Sequence, residues 1–234
     1  MATAAPGATG GNIDFGRSFT FVGEDPDWIK KILIGGAFTL ACAVLVGVPF
    51  VLGYFSRTLR NVAGGAATPL PEWDDLGGLF EEGLRPTAVY LLHVLALMVV
   101  LAVFGGALLL PFFVLSGGKN PAGAIEPLAA LAILALYAVV MLLSFALAAY
   151  LPAALMRAAL RGSVGDGFAW RENLGFIRDN LANYVLALVS YLLASFLAQF
   201  GLLLCCVGVF PAMFWSYLVL AFALGQTFRL GGAS

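Results

Sequence analysis

An all-α fold, a polytopic bundle of transmembrane helices, is what this chain predicts, and three observations predict it. Mean hydropathy is +0.98. Only 11% of the 234 residues are Asp, Glu, Lys or Arg, less than half the share in a soluble domain, which is about 25%. Those charges leave runs of twenty or more residues with none, the length a helix needs to cross hydrocarbon. A soluble domain of this size would need a polar shell that the composition does not supply. The net charge of −1 gives no electrostatic reason to bind nucleic acid.

The chain opens MATAAPGATGGN, small and uncharged, without the basic start of a signal peptide, so residues 1–14 read as a disordered leader. Residues 15–31 form an N-terminal interfacial segment. Within it Asp25-Pro26-Asp27-Trp28 has the marks of a helix start: an aspartate to cap, proline at the first helical position, and an acid in the first turn. Trp28 then anchors the helix at the headgroups.

Residues 32–230 make up the transmembrane domain. Five spans are expected, over about 32–55, 88–113, 127–150, 181–206 and 207–228. The first reaches about 36 Å at 1.5 Å per residue, enough to cross with some tilt. The last two are joined by CCVGVFP, an uncharged link read as a tight turn on Gly208 and Pro211. Cys42, Cys205 and Cys206 all lie in apolar runs and act as small hydrophobes.

Two stretches between spans are too polar to cross and too apolar on one side to float free. In PEWDDLGGLFEEGL, Trp73, Leu76, Phe80 and Leu84 recur at helical spacing, with acids over much of the remainder. In FAWRENLGFIRDNLANY the stripe is Trp170, Leu174, Ile177 and Leu181. Both predict amphipathic helices lying along the headgroups, over about 71–85 and 167–180. A metal or catalytic carboxylate site is the sharper reading of Asp74, Asp75, Glu81 and Glu82. Adjacent acids point different ways on a helix, however, and no histidine or nucleophile lies near them in sequence.

At an offset of 97 several of these residues coincide. Arg60 falls on Arg157, Gly65 on Gly162, Trp73 on Trp170, Asp75 on Glu172, Gly78 on Gly175 and Glu82 on Asp179. The order suggests a parallel internal repeat, with the fifth helix as an addition.

With five spans, Arg57, Arg60, Arg85, Arg157, Arg161, Arg171, Arg178 and Arg229 share one side, against Arg17, Lys30, Lys31 and Lys119 on the other. The excess marks the cytoplasm, so the N-terminus is expected outside and the C-terminus inside a prokaryotic cell (inner) membrane. Lys30 and Lys31 sit awkwardly in this scheme. A re-entrant first segment, bending at Gly35, Gly36, Gly47 or Pro49, would move the first three of those four and leave eleven against one.

No acid, lysine or arginine falls inside a span, which weighs against ion-coupled transport. His93, the one histidine, lies in the second span. One neutral imidazole would serve as axial ligand to a haem or chlorophyll-type pigment, or would hydrogen-bond a neighbouring helix. Ser190, Ser195, Gln199 and Gln226 suit helix-to-helix hydrogen bonds, and Gly35-Gly36 and Gly105-Gly106 suit close helix approach.

EDPDWIKKILIGG, PFVLGYFSRTLR, LPEWDDLGGLFEEGL and ALGQTFR together resemble a bacterial and archaeal family of integral membrane proteins, the domain of unknown function numbered 4013, over about residues 15–230. The resemblance implies an integral membrane location and several spans, with Gly53, Tyr54, Arg57, Pro71, Trp73, Asp74, Gly225, Gln226 and Arg229 as shared positions. It implies no activity.

The expectation is therefore a non-catalytic accessory or scaffold subunit of a larger membrane protein complex. A small-solute permease, channel-like or lipid-handling protein is the alternative, and a pigment subunit through His93 the third. Lipid is the expected surrounding. The Arg57, Arg60, Arg157 and Arg161 set is the candidate contact for anionic headgroups.

Overall fold

The structure is a computed structural model that describes residues 11–115, 125–203 and 207–231. Lys119, Cys205 and Cys206 lie outside the described residues. All regular structure among the described residues is helical, as the apolar runs dictate, because a helix satisfies its own backbone in lipid. Among the described residues four helices are long and apolar enough to cross a membrane: α4 (Leu76–Leu115), α5 (Ile125–Arg161), α8 (Leu181–Ala198, prolonged by a 3-10 turn over Gln199–Leu203) and α9 (Val209–Gly231). The protein is a polytopic membrane protein.

The expected first span, 32–55, is the first correction. Residues 32–55 form no single helix. α2 (Trp28–Ala41) ends in a 3-10 turn, Cys42–Val44, and α3 (Val48–Ala63) begins after Gly47. The chain doubles back there, so that Phe38 stacks on Phe50 with ring centroids 4.5 Å apart. Three features make the reversal. Leu45 adopts a left-handed φ of 64°, which leucine takes at a cost of about 1–2 kcal/mol. Gly47 passes against the carbonyl of Phe38, where a Cβ would collide. Pro49 sits in the first turn of α3, a position that needs no N–H. The backbone stays satisfied, with Leu45 N donating to Cys42 O at 2.9 Å and Gly47 N to Ala41 O at 3.2 Å. At 1.5 Å per residue α2 and α3 reach only about 21 and 24 Å, short of a bilayer core.

The first amphipathic stretch also differs from expectation. Helix α4 runs unbroken from Leu76 through Pro86 into its apolar part, so 71–85 is no separate helix. At about 60 Å, α4 is roughly twice the hydrocarbon thickness. Its end bearing Glu81, Glu82 and Arg85 is the polar one. In the second stretch a short α6 (Val164–Gly167) precedes a distinct helix α7 (Trp170–Asp179), with a break at Asn180. Its buried positions are Asn173 and Phe176. The anticipated stripe members Trp170, Leu174 and Leu181 are exposed, as are Leu76, Phe80 and Leu84 on α4.

The N-terminal segment is helical too. Asp14 caps α1 (Phe15–Thr20) by accepting from Arg17 N at 2.9 Å, and a 3-10 turn covers Phe21–Glu24. The Asp25-Pro26-Asp27 start is built differently from its sequence reading. Asp27 occupies the cap of α2 without a side-chain bond, while the Asp25 carboxylate accepts from Asp27 N at 2.9 Å.

Two compact units divide the chain: one comprises residues up to Val89 with those from Ala153 onward, the other Tyr90–Pro152. In the first, α9 is the core. Sixty-one per cent of its most apolar window is buried, against 28% for α8. Gly35 and Gly36 bring α2 against Phe214 and Pro211, and Gly225 receives α3 at Leu59 and Val62. Phe21 stacks on Phe222 at 4.2 Å. Gly53 and Gly83 let α3 and α4 cross backbone to backbone, Gly53 at Leu79 O and Gly83 at Pro49 O. The second unit pairs the middle of α4 with that of α5: Gly105 faces Leu136, and His93 lies beside Tyr150 at 5.6 Å between ring centroids.

Because a methyl group at Gly53 meets backbone while Gly106 has open space, Gly53→Ala should lower unfolding stability by about 1–3 kcal/mol. Gly106→Ala should leave it within error in the same thermal denaturation series.

Candidate functional site

Besides the exposed Arg17–Glu24 pair, three clusters of charged residues form within the first unit among the described residues. The first forms where α2 begins. Lys31 is 3% exposed and Asp25 6%, and Lys31 Nζ lies 2.7 Å from Asp25 Oδ2 and 2.5 Å from Glu72 Oε1. A buried pair of this kind is tolerated only when both partners are present; loss of one leaves an uncompensated charge, at about 3–5 kcal/mol. Trp73 closes the site, donating from Nε1 to Lys31 O at 3.1 Å and stacking on Tyr54 at 4.4 Å and on Phe38 at 5.0 Å. The hydroxyl of the fully buried Tyr54 donates to Pro71 O at 2.9 Å.

The second cluster ties α3 to α4. Arg57 Nη2 reaches Asp75 Oδ2 at 2.6 Å, and Arg57 Nε reaches Glu82 Oε1 at 2.9 Å. Arg60 pairs with the other oxygen of Glu82 and donates to Ala159 O at 3.0 Å. The Arg57 hydrogen bond, followed by the Gly78 N–H, holds the Asp75 carboxyl below its ordinary pKa. The helix ends beyond Arg60 and Arg157 close alike: Gly65 and Gly162 take φ of 77° and 68°, a left-handed turn suited to glycine.

The third cluster sits at the end of α5. Arg157, 7% exposed, pairs with Glu172 on α7, and Arg161 Nη1 stands 3.9 Å from the same carboxylate. These residues, with Gly175, Phe176 and Asp179, line an open cavity of about 440 Å³.

Of the residues singled out in the sequence, Gly53, Tyr54, Arg57, Pro71 and Trp73 come together around the α3–α4 crossing. Arg60 joins Arg57, and Arg157 joins Arg161. Gln226 and Gly225 lie elsewhere on α9, where Gln226 Oε1 accepts from Asp14 N at 2.8 Å. Arg229 is exposed beside Gly65. Trp28, Asp74 and Trp170 are exposed, Trp170 beneath the Arg171 guanidinium. His93 is half-buried. Asp25, Lys31 and Glu72 are not legible as one site in the sequence, where Lys31 counts only toward the charge bias and Asp25 as a helix cap; the acids Glu24, Asp25 and Asp27 beside the lysine are the local signal. Among the described residues no group of three or more His, Cys, Asp or Glu is placed to hold a metal ion.

A family model described as protein of unknown function (DUF4013) matches residues 37–207. The match is narrower than the 15–230 of the resemblance, and Trp28, Gly225, Gln226 and Arg229 fall outside it. No curated protein and no solved structure matches the chain.

The depressed carboxyl gives a signed pH expectation. Asp75 contributes stability that is present above its unfolded value of 3.8 and lost as pH falls through the lower folded one. Asp75→Asn should therefore lower the Tm at neutral pH, and its deficit should vanish in thermal melts below that value.

Proposed function

The chain belongs to the DUF4013 family, and within it we propose that this protein is a non-catalytic accessory subunit that docks the transmembrane helices of another membrane protein through α4 and α5. One observation carries the reading. In the unit Tyr90–Pro152 the apolar surface is uncovered: none of the most apolar window of α4 is buried, and 11% of that of α5. On α4 that surface includes Ala102 and Gly106, both exposed, and Gly106 has no atom near its missing Cβ. Two small residues four apart let a second helix approach closely, which is how helices associate where lipid removes the hydrophobic drive. The first unit, with α9 already enclosed, has less to offer a partner helix.

The same proposal fixes a topology. Four spans replace five, with the α2–α3 hairpin entering and leaving on one side. Two features support it: the hydrogen bonds of Asp14 to Gln226, which set the N-terminal segment on the last turns of α9, and the gathering of Lys31 and Arg57 with residues 72–82. On this arrangement both ends face the cytoplasm of a prokaryotic cell, and eleven of the twelve Lys and Arg residues share that side.

Purification in mild detergent from the native membrane should yield a heterologous partner at fixed ratio. Gly106→Leu should release that partner while leaving the protein's own Tm unchanged; recovery of a monomer alone from the wild type would defeat the reading. For the topology, single cysteines at 30 and 60 should both react with an impermeant reagent from the cytoplasmic side, and one at 119 from the opposite side.

A further inference from the structure

The second and third charged clusters place acids and an arginine at matching sequence positions but pair them differently: Arg60 holds Glu82, whereas Arg157 holds Glu172. Ninety-seven positions beyond Asp75 and Glu82 stand Glu172 and Asp179; beyond Arg60 stands Arg157. In the second cluster the Arg57 guanidinium lies between the two acids, bonded to Asp75 and to Glu82. The position matching Arg57 is Ala154, a buried methyl group. The two carboxylates recur and the cation between them does not. Both acids of the third cluster, Glu172 and Asp179, instead line the open cavity of about 440 Å³ together with Arg157, Arg161, Gly175 and Phe176.

Other features of this cavity bear on what enters it. Glu172, Gly175, Phe176 and Asp179 share one face of α7, being three, four and seven positions apart. Asp179 has no ion-pair partner among the described residues, whereas Glu172 is shared by two arginines. Arg161 has no counterpart in the second cluster, where Gly64 stands. It is half-exposed and only 3.9 Å from Glu172, so most of its donors are available. Arg157, more than nine-tenths buried, lines the wall, and its Nε has no hydrogen-bond partner. Two arginines and two acids make the cavity neutral. A purely anionic ligand would meet Glu172 and Asp179 as well as the arginines; a zwitterion would satisfy both signs.

We propose that this cavity binds a phosphoethanolamine headgroup, its primary ammonium between Glu172 and Asp179 as Arg57 lies between Asp75 and Glu82, and its phosphate on Arg161. The source is a membrane phospholipid. Trp170, Leu174 and Leu181 on and just beyond the same helix expose apolar surface for acyl chains to cover. The inference needs a membrane around the protein but is independent of the accessory-subunit reading, since the cavity lies in the first unit and the docking surface in the second.

The test is native mass spectrometry of the full chain in detergent, titrated with phosphatidylethanolamine, phosphatidylglycerol and phosphatidylcholine of identical chains. The wild type should retain phosphatidylethanolamine most tightly. Choline's quaternary ammonium cannot donate the hydrogen bonds, and glycerol carries no cation. Asp179→Asn, at an exposed position that leaves the fold intact, should weaken phosphatidylethanolamine by about tenfold, the worth of one charge-assisted hydrogen bond. It should not weaken phosphatidylglycerol. Asp74→Asn, in the other exposed acidic stretch, should change neither. Tighter binding of phosphatidylglycerol, or an unaffected Asp179→Asn, would overturn the site. Displacement of bound lipid by free phosphoethanolamine at equal affinity would overturn the lipid as its source.

Discussion

Enclosure of α9 is the constraint on which the first unit depends. Between lipid-exposed helices there is little hydrophobic force, so a helix becomes a core only if its neighbours come close enough for dense van der Waals contact. The glycines arrange this. Gly35 and Gly36 remove side chains where α2 meets Phe214 and Pro211, and Gly225 removes one where Leu59 and Val62 of α3 pass α9. The N-terminal turn adds Phe21 over Phe222. With these contacts made, the apolar residues of α9 from Leu218 to Leu224 are all buried, although nothing in their hydropathy distinguishes them from lipid-facing residues.

The hairpin follows from the same packing and in turn places the charges. Two short helices fit against α9 where one long helix would present only one face. Once the chain reverses at Leu45 and Gly47, the start of α2 lies beside the segment that follows α3. Lys31 then meets Glu72, and Trp73 slots between Phe38 and Tyr54. Arg57 and Arg60 fasten the first turns of α4 to α3 through Glu82. Ion pairs of modest worth in water become strong restraints where water is scarce, because breaking one strands a charge. The aromatic and ionic contacts therefore act together, each holding the other in register.

The two units divide their tasks by what they bury. The first spends its small residues on internal contact; the second keeps Ala102 and Gly106 on its surface. A helix pair with both outer faces apolar is stable in lipid and is also open to a further helix. The charged clusters, by contrast, belong wholly to the first unit.

The membrane class, the all-α fold, the presence of four long apolar helices and the family were all legible in the sequence, because these rest on composition, run length and local motif. The separateness of α7 was legible as well, from its charge-bearing period after Gly167. The tertiary structure alone decided the rest. Residues 32–55 are long and apolar enough to span, yet the reversal at Leu45, Gly47 and Pro49 turns them into a hairpin. The acidic stretch at 71–85 reads as an independent amphipathic helix, yet Arg57 and Arg60 on α3 fix its later part as the first turns of α4. Lys31 reads as an awkward charge at the end of a span and is buried with partners 6 and 41 positions away. Hydropathy records how much a segment avoids water. It does not record whether lipid or protein takes the water's place, and that choice is made by contacts between residues far apart in the chain.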